Sequence, residues 1–187
     1  LIFGEQENEL RGGTPNVANI VGFGRAAELA LAGLASRTES VGELGRYLLD
    51  EILRRIPSAR LNGPPSAGAR EAQAVPEAAR RADPAERLPG TLNVSFPGVE
   101  GEAILINLDL QGIAVSTGSA CSAGSVEPSH VLKAMGLSDE ESRSAVRFSL
   151  GPSTTKEEIE TLLDALPPIL EKLWSLSGKN KSHKAAA

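Results

Sequence analysis

The sequence predicts a mixed domain of the α/β or α+β class, because helix-like and strand-like hydrophobic patterns alternate along the chain. Two long stretches, 41–56 and 159–173, repeat apolar residues every three or four positions, which is typical of amphipathic helices. Two short stretches, 92–96 and 146–150, alternate apolar and polar residues, which is typical of half-buried strands. Helices interleaved with strands in this way indicate an α/β or α+β domain.

The composition is close to the average of globular proteins, with 41% hydrophobic and 23% charged residues. The length of 187 residues suits one domain or a piece of a larger one. A net charge of −5 and only 3% aromatic residues argue against direct binding of nucleic acid. The sequence has no run of about 20 apolar residues, so we expect no membrane partner. The single cysteine argues against a disulfide, and we expect a cytoplasmic location.

Two helices are predicted in the first third of the chain. Thr14-Pro15 is a favourable helix start, because threonine caps free N–H groups and proline tolerates the first helical position. The second helix, 41–56, should end at Pro57. The next segment, 64–87, is rich in alanine, proline and charge and has too few apolar residues for a core. We therefore predict that it is a flexible surface insertion.

Short elements are predicted to follow this insertion. After the strand at 92–96 we expect a helix at 103–108, a strand at 113–116 and a small-residue loop at 117–128. Ser129 should cap a further short helix, which ends at Gly136.

The last part of the chain carries two capping boxes and a long helix. Ser138 with Glu141, and Thr155 with Glu158, have the spacing in which a hydroxyl and a carboxylate cap one helix start together. Between them, the strand at 146–150 should place Arg147 and Ser149 on the face opposite its apolar residues. We expect the last helix to be kinked at Pro167-Pro168, and residues 177–187 to form a disordered basic tail.

Cys121 is the strongest candidate for chemistry. It lies in the sequence Val-Ser-Thr-Gly-Ser-Ala-Cys-Ser-Ala-Gly (115–124), and neither of its neighbours is large or apolar. An accessible thiol on a mobile loop suits a nucleophile that must move or transfer a group. An incidental loop cysteine fits the same composition, so the residues alone leave both interpretations open.

Two anion-binding groups are also indicated. Arg147 lies between apolar residues of a predicted strand, so a rigid element would present its planar guanidinium for bidentate binding of a carboxylate. Thr14 follows Arg11, Gly12 and Gly13 and combines a hydroxyl with exposed N–H groups at a helix N-terminus. The alternatives are a surface arginine and an ordinary helix cap.

Two further patterns carry less weight. Residues 22–27 match the dinucleotide-binding pattern G-x-G-x-x-A, but that pattern must follow a strand and open a helix, whereas here the helix has already begun. The two histidines, His130 and His183, are far apart in the sequence, so we expect no metal site built from them.

Several motifs together resemble the C-terminal half of cysteine desulfurases, which are pyridoxal-phosphate (PLP) enzymes of the class V aminotransferase type, in the branch with a long mobile cysteine loop. In family order, the matching stretches are Arg-Gly-Gly-Thr-Pro-Asn (11–16), Ile-Val-Gly-Phe-Gly (20–24), Arg-Leu-Pro-Gly-Thr-Leu-Asn-Val-Ser-Phe (87–96), Leu-Asp (108–109), the Cys121 motif (115–124), Ser-His-Val-Leu-Lys-Ala-Met-Gly (129–136) and Val-Arg-Phe-Ser-Leu-Gly (146–151). The resemblance extends from residue 1 to about residue 175.

The resemblance implies a fold and three residue roles. Residues 36–176 would be the small C-terminal domain of a fold-type I PLP enzyme, and residues 1–35 the end of its large domain with a connecting helix. Cys121 matches the nucleophile that takes sulfur from L-cysteine as a persulfide and leaves alanine. Arg147 matches the arginine that binds the substrate carboxylate. Thr14 matches the threonine that reaches the PLP phosphate of the neighbouring subunit, which implies a homodimer.

The resemblance also implies partners that lie beyond this chain. The persulfide sulfur would pass to an acceptor such as an iron–sulfur scaffold protein, for cluster assembly or tRNA thiolation. Cys121 would then be a possible shared ligand of a transient iron–sulfur cluster. The PLP domain with its Schiff-base lysine should precede residue 1, and Met135 is the only methionine, so residue 1 is not expected to be an intact translation start.

We therefore expect the chain alone to be inactive. The Ser-His-Lys sequence that ends at Lys184 lacks the family context of the Schiff-base lysine, and we interpret it as chance. The alternatives are a non-catalytic sulfur-carrier or dimerisation fragment, one half of a split desulfurase, and a relative that acts on selenocysteine.

Overall fold

The computed structural model describes residues 12–64, 87–117 and 128–177, and the chain divides into two compact units. The first unit is Leu1–Arg37 and the second is Thr38–Ala187. The predicted flexible insertion, the Cys121 loop and the predicted tail lie almost entirely outside the described residues. The assignment of the N-terminal residues to the end of a larger PLP domain stays a prediction.

The first unit contains helix α1, Val17–Ala32, and the start of helix α2, Leu34–Arg55. The predicted cap at Thr14 is wrong by two residues, because the side chain of Asn16 accepts a hydrogen bond of 3.3 Å from a backbone N–H of the first turn. None of the α1 side chains is buried. Arg37 donates hydrogen bonds to the backbone carbonyls of Leu29 and Ala30 in the last turn of α1.

The second unit is built around a four-stranded antiparallel sheet in the order β1-β2-β4-β3. Its elements after α2 are β1 (Arg60–Asn62), β2 (Thr91–Ser95), α3 (Gly101–Asp109), β3 (Ser116–Thr117), α4 (His130–Ala134), α5 (Asp139–Arg143), β4 (Ala145–Ser149) and α6 (Lys156–Leu176). Within the described ranges no single helix is long and apolar enough to span a membrane, although α1 and α2 meet that test as a bent pair.

One face of the sheet carries the hydrophobic core. Alternate side chains of β2 and β4 are buried on this face, and residues of α2, α3 and α6 belong to the same apolar cluster. The rings of Phe96 and Phe148 meet edge to face, with centroids 6.5 Å apart. The indole N–H of Trp174 in α6 donates to the Pro97 carbonyl at 2.8 Å, which ties the last helix to the end of β2.

Close packing of α3 on β4 requires glycine at the first residue of the helix. A Cβ added to Gly101 would lie 2.6 Å from the carbonyl oxygen of Ala145, closer than real Cβ atoms approach a backbone oxygen. Any larger residue would therefore push α3 away from the sheet.

Most elements predicted from the sequence are confirmed in the second unit. The strands predicted at 92–96 and 146–150 are β2 and β4, and the helix predicted at 103–108 is the interior of α3. Ser129 caps α4, and both predicted capping boxes are formed at the starts of α5 and α6.

Three features of the second unit differ from the predictions or add to them. The strand predicted at 113–116 pairs with β4 only at Ser116–Thr117, and Ile113 packs partly buried against the core ahead of this pairing. Strand β1 is not predicted, because three residues are too short to show alternation. Helix α6 includes Pro167 and Pro168 and has buried residues on both sides of them, and the kink expected at these prolines stays a prediction.

Candidate carboxylate-binding site on the polar face of the sheet

Four polar residues form a row across the sheet on the face opposite the core. Asn62 of β1 lies opposite Asn93 of β2, Asn93 lies opposite Arg147 of β4, and Arg147 lies opposite Ser116 of β3. Directly opposite residues of antiparallel strands have Cβ atoms about 4.5–5.5 Å apart. Asn93 and Ser116 are therefore within side-chain reach of Arg147, and we refer to the four residues as the polar row.

Arg147 is exposed on a strand whose other side chains anchor the core. Its neighbours Val146 and Phe148 are 0% and 2% exposed, and both edges of β4 are paired, so the backbone at Arg147 is firmly held. The predicted solvent-facing orientation of Arg147 is confirmed. Among the residues that the structure describes, its guanidinium has no hydrogen-bond or ion-pair partner. Such an arginine is able to bind a carboxylate through two parallel hydrogen bonds.

A chain of hydrogen bonds orients the other end of the polar row. The Ser95 hydroxyl donates to the carbonyl of Glu141 at 2.9 Å, so its oxygen is left to accept. The Asn62 amide nitrogen donates to the Ser95 hydroxyl and to the Asn93 Oδ1 atom, both at 2.7 Å. The first acceptor in this series of hydrogen bonds is a backbone carbonyl, which only accepts. The donor and acceptor of each later bond are therefore fixed.

An exposed ion pair lies beside this network at the edge of the sheet. Arg60 of β1 contacts the Glu141 carboxylate at 3.1 Å. The backbone N–H and hydroxyl of Ser138 hold the pKa of Glu141 below its usual value, and Arg60 lowers this pKa further. Glu141 therefore stays ionised and links the start of α5 to the sheet beside the polar row.

Sequence reasoning did not single out three of the four residues in the polar row. Asn93 alternates with the apolar Leu92 and Val94, and this pattern indicates a polar-face position. Its location beside Arg147 depends on the pairing of strands more than 50 residues apart in sequence, which alternation does not specify. Asn62 and Ser116 lie in strands of three and two residues, too short for the pattern to indicate them.

The other predicted site residues are placed only in part. Thr14 is exposed and follows Gly13, whose positive φ of 102° turns the chain ahead of α1. Thr14 lies in the first unit and Arg147 in the second. Cys121 lies outside the described residues, four positions after the last residue of β3, and Arg11 and His183 are also outside them.

Two of the described residues, one in each unit, have the chemistry to bind groups that a PLP enzyme holds. Thr14 and the N–H groups that precede α1 suit a phosphate, and Arg147 suits a substrate carboxylate. The described lysines are exposed on helices: Lys133 pairs with Asp139 at 3.0 Å, Lys156 lies 4.8 Å from the centroid of the Tyr47 ring, and Lys172 lies in α6. These lysines do not lie on the sheet strands that carry the polar row, so none is placed as a Schiff-base partner beside Arg147. The same residues contain no cluster of three or more metal-ligating side chains.

A family model describes most of the chain. The model of the Aminotransferase class-V family matches residues 1–162. The chain belongs to the class V aminotransferase family. This membership implies PLP as the cofactor, and it confirms the resemblance found in the sequence motifs.

The curated relatives of this class V chain are named as cysteine desulfurases. A protein of Dictyoglomus turgidum named cysteine desulfurase IscS is 45% identical over 174 residues, which are 93% of this chain and 39% of the relative. A Clostridium botulinum protein of the same name is 40% identical over 187 residues, covering 97% of this chain and 43% of the relative. The chain therefore spans about two fifths of the length of the relatives it matches.

Solved structures agree with the fold of this family. A NifS-like protein superposes with a TM-score of 0.69 at 31% identity, covering 92% of this chain and 39% of that one. A NifS-like protein from Rickettsia africae gives a TM-score of 0.66 at 30% identity, covering 91% of this chain and 39% of that one. The mixed fold predicted from the sequence, as part of a class V PLP enzyme, is confirmed.

Proposed function

We propose that this chain is the C-terminal part of a cysteine desulfurase, which converts L-cysteine to L-alanine and leaves the sulfur on Cys121 as a persulfide. The observation that carries the proposal is Arg147, exposed without a partner among the described residues and held on a rigid central strand. Cys121 follows the adjacent strand β3 by four residues in the sequence, which tethers the thiol to the sheet that carries Arg147.

The chain's own residues would bind the substrate and accept its sulfur. Arg147 would hold the carboxylate of L-cysteine through two parallel hydrogen bonds and so orient the amino acid. The Cys121 thiolate would form a sulfur–sulfur bond with the substrate as the carbon–sulfur bond breaks. The electron pair of the broken bond would stay with the substrate carbon, which takes up a proton to give alanine.

The cofactor, its phosphate contact and the sulfur acceptor complete the reaction. When bound, PLP supplies the electron sink that weakens the carbon–sulfur bond. Thr14 would donate a hydrogen bond to its phosphate from the neighbouring subunit of a homodimer. The persulfide sulfur would pass to an acceptor protein in the cytoplasm. An iron–sulfur scaffold and a tRNA-thiolation protein are the two candidate acceptors.

Trapping with borohydride tests whether the chain holds a complete PLP site. The purified chain is mixed with PLP and reduced, and any adduct is located by peptide mass spectrometry. We expect no stoichiometric adduct, because the described lysines are exposed on helices away from the strands that carry the polar row. A single stoichiometric adduct at Lys184 would show that the C-terminal Ser-His-Lys is functional and that the proposed division of the site is wrong.

A chimera tests the activity itself. In this protein the chain replaces the matched region of the Dictyoglomus turgidum relative, whose remaining part is retained. We expect the chimera to release sulfide from L-cysteine with PLP and a thiol reductant, and Cys121→Ser to abolish the release. An inactive chimera that is folded and binds PLP would contradict the desulfurase assignment. Transfer of sulfur to Cys121 from an external persulfide would then favour the sulfur-carrier alternative.

A further inference from the structure

We propose that Asn93 is a second carboxylate-binding residue of this site, and that its amide NH₂ binds the same anion as the Arg147 guanidinium. The identity of the anion as the carboxylate of L-cysteine rests on the proposed function. The presence of a two-residue carboxylate site rests only on the geometry of the sheet.

The hydrogen bond from Asn62 sets the orientation of the Asn93 amide. Its Oδ1 atom accepts the hydrogen bond from Asn62 at 2.7 Å, on the β1 side of the strand. The two donor hydrogens of Asn93 are therefore on the other side of its amide, toward β4. Asn93 is partly exposed, so an anion from solvent is able to reach these donors.

Asn93 lies directly beside Arg147 on the polar face of the sheet. The two residues are direct partners in the β2–β4 register, and their side chains lie on the same face. A guanidinium and an amide NH₂ at this separation present only hydrogen-bond donors to the space between them. This arrangement suits the two oxygens of one carboxylate and disfavours a cation.

Ser116, on the other side of Arg147, is less suited than Asn93 to donate a second hydrogen bond. Ser116 is the direct partner of Arg147 on β3, but its hydroxyl already donates to the Thr117 carbonyl at 3.1 Å. The Ser116 hydroxyl hydrogen is therefore used in a bond to the backbone. The two amide hydrogens of Asn93, in contrast, point away from Asn62 and are available to a ligand. Asn93 is the better second donor of the row.

Asn62 acts in this scheme as a positioning residue. It contacts Asn93 and Ser95 through one amide nitrogen, and it holds the Asn93 oxygen toward β1. Without Asn62, the Asn93 amide is free to rotate by 180° and to present its oxygen to the anion instead of its donors. Removal of Asn62 should therefore weaken anion binding without removing either donor.

The substitution Asn93→Asp separates anion binding from a merely structural role. Aspartate keeps the acceptor oxygen that Asn62 needs, so the hydrogen-bond network and the melting temperature should be preserved. It replaces the donor NH₂ by a negative oxygen, which would pair with Arg147 and exclude the carboxylate. Asn62→Ala is the complementary variant, because it disrupts the network and leaves both donors in place.

The first test is a binding experiment that needs no PLP. The ¹⁵N-labelled chain is titrated with sodium acetate, with sodium chloride at equal ionic strength as the control. We expect the Asn93 side-chain NH₂ and the Arg147 Nε–H signals to shift together with one dissociation constant. Asn93→Asp should weaken acetate binding by at least about tenfold, because one hydrogen bond to the anion is lost and the aspartate competes for Arg147. A shift of Arg147 alone, or unchanged affinity in Asn93→Asp, would overturn the proposal.

The second test uses the kinetics of the chimera. We expect Asn93→Asp to raise the KM for L-cysteine by about tenfold or more with a smaller change in kcat, and Asn62→Ala to raise it less. An unchanged KM in both variants would contradict the proposal. Acetate binding that depends on Asn93, together with an inactive but folded chimera, would reject the desulfurase function and leave the two-residue carboxylate site standing.

Discussion

Replacement of Arg147 by glutamine should reduce substrate binding and leave stability unchanged. Glutamine keeps a polar side chain on β4 but removes the positive charge and the guanidinium fork. The side chain is exposed and has no partner among the described residues, so the free energy of unfolding should change by less than about 0.5 kcal/mol. This expectation separates a binding role from a structural one.

The size of the binding defect follows from the interaction that is lost. Hydrogen bonds to charged groups contribute about 1.5–3 kcal/mol, and each 1.36 kcal/mol corresponds to a factor of ten. We therefore expect the KM for L-cysteine to rise by about 10- to 150-fold in Arg147→Gln. Arg147→Lys keeps the charge without the fork, and it should fall between the wild type and Arg147→Gln.

Kinetics of the chimera and thermal melting of the chain test both expectations in the same variants. Arg60→Gln is the matched control, because Arg60 lies on the same sheet face but pairs with Glu141 at 3.1 Å. Its loss should leave KM unchanged, because Arg60 contacts the Glu141 carboxylate and no residue of the polar row. The melting temperature should also change little, since an exposed ion pair contributes only about 0–1 kcal/mol to stability. An unchanged KM in Arg147→Gln, or an equal rise in Arg60→Gln, would refute the assignment of Arg147 as the carboxylate-binding residue.

The remaining predictions concern the core, the pH dependence and the nucleophile. Leu166→Ala, at a fully buried position of α6, should lower the free energy of unfolding by about 2–5 kcal/mol in urea denaturation, and a smaller loss would show that the core collapses around the cavity. Hydrogen bonds from Arg54 and then Arg55 lower the pKa of Glu51 to about 2, so its stabilising contribution is present above the ordinary pKa near 4.5 and is lost as pH falls toward 2. Glu51→Gln should therefore flatten the pH dependence of the melting temperature between about pH 4.5 and 2, and an unchanged slope would contradict this pKa. Cys121→Ala in the chimera should abolish persulfide detected by mass spectrometry while PLP absorbance is retained, whereas loss of PLP would contradict a role limited to sulfur transfer.

Strands β2 and β4 and one site residue could be predicted from the sequence, because all three depend on local alternation. Val146 and Phe148 show which face of β4 is buried, and Arg147 between them must therefore lie on the other face. The same argument applies to Asn93 between its apolar neighbours. These predictions need no knowledge of how the strands pair.

The partners of these residues were not predictable, because they depend on contacts between distant parts of the chain. Asn62, Asn93 and Arg147 are brought together by the register of β1, β2 and β4, and a shift of one residue would place each on the other face. The start of α1 shows a smaller error of the same kind. Both Thr14 and Asn16 are able to cap a helix, and only the path of the backbone decides between them.

The two faces of β4 have different environments, because one packs in the core and the other carries the exposed Arg147. The core requires apolar side chains at alternate positions, and this requirement leaves the residues between them free to vary without loss of packing. Strands are enriched in β-branched and aromatic residues, and an exposed arginine at such a position adds little packing. Arg147 is exposed and has no partner among the described residues, so its contribution to stability should be small, and it lies beside an amide whose orientation Asn62 sets. The proposed binding of an anion would account for both the arginine and the hydrogen-bond network that orients its neighbour.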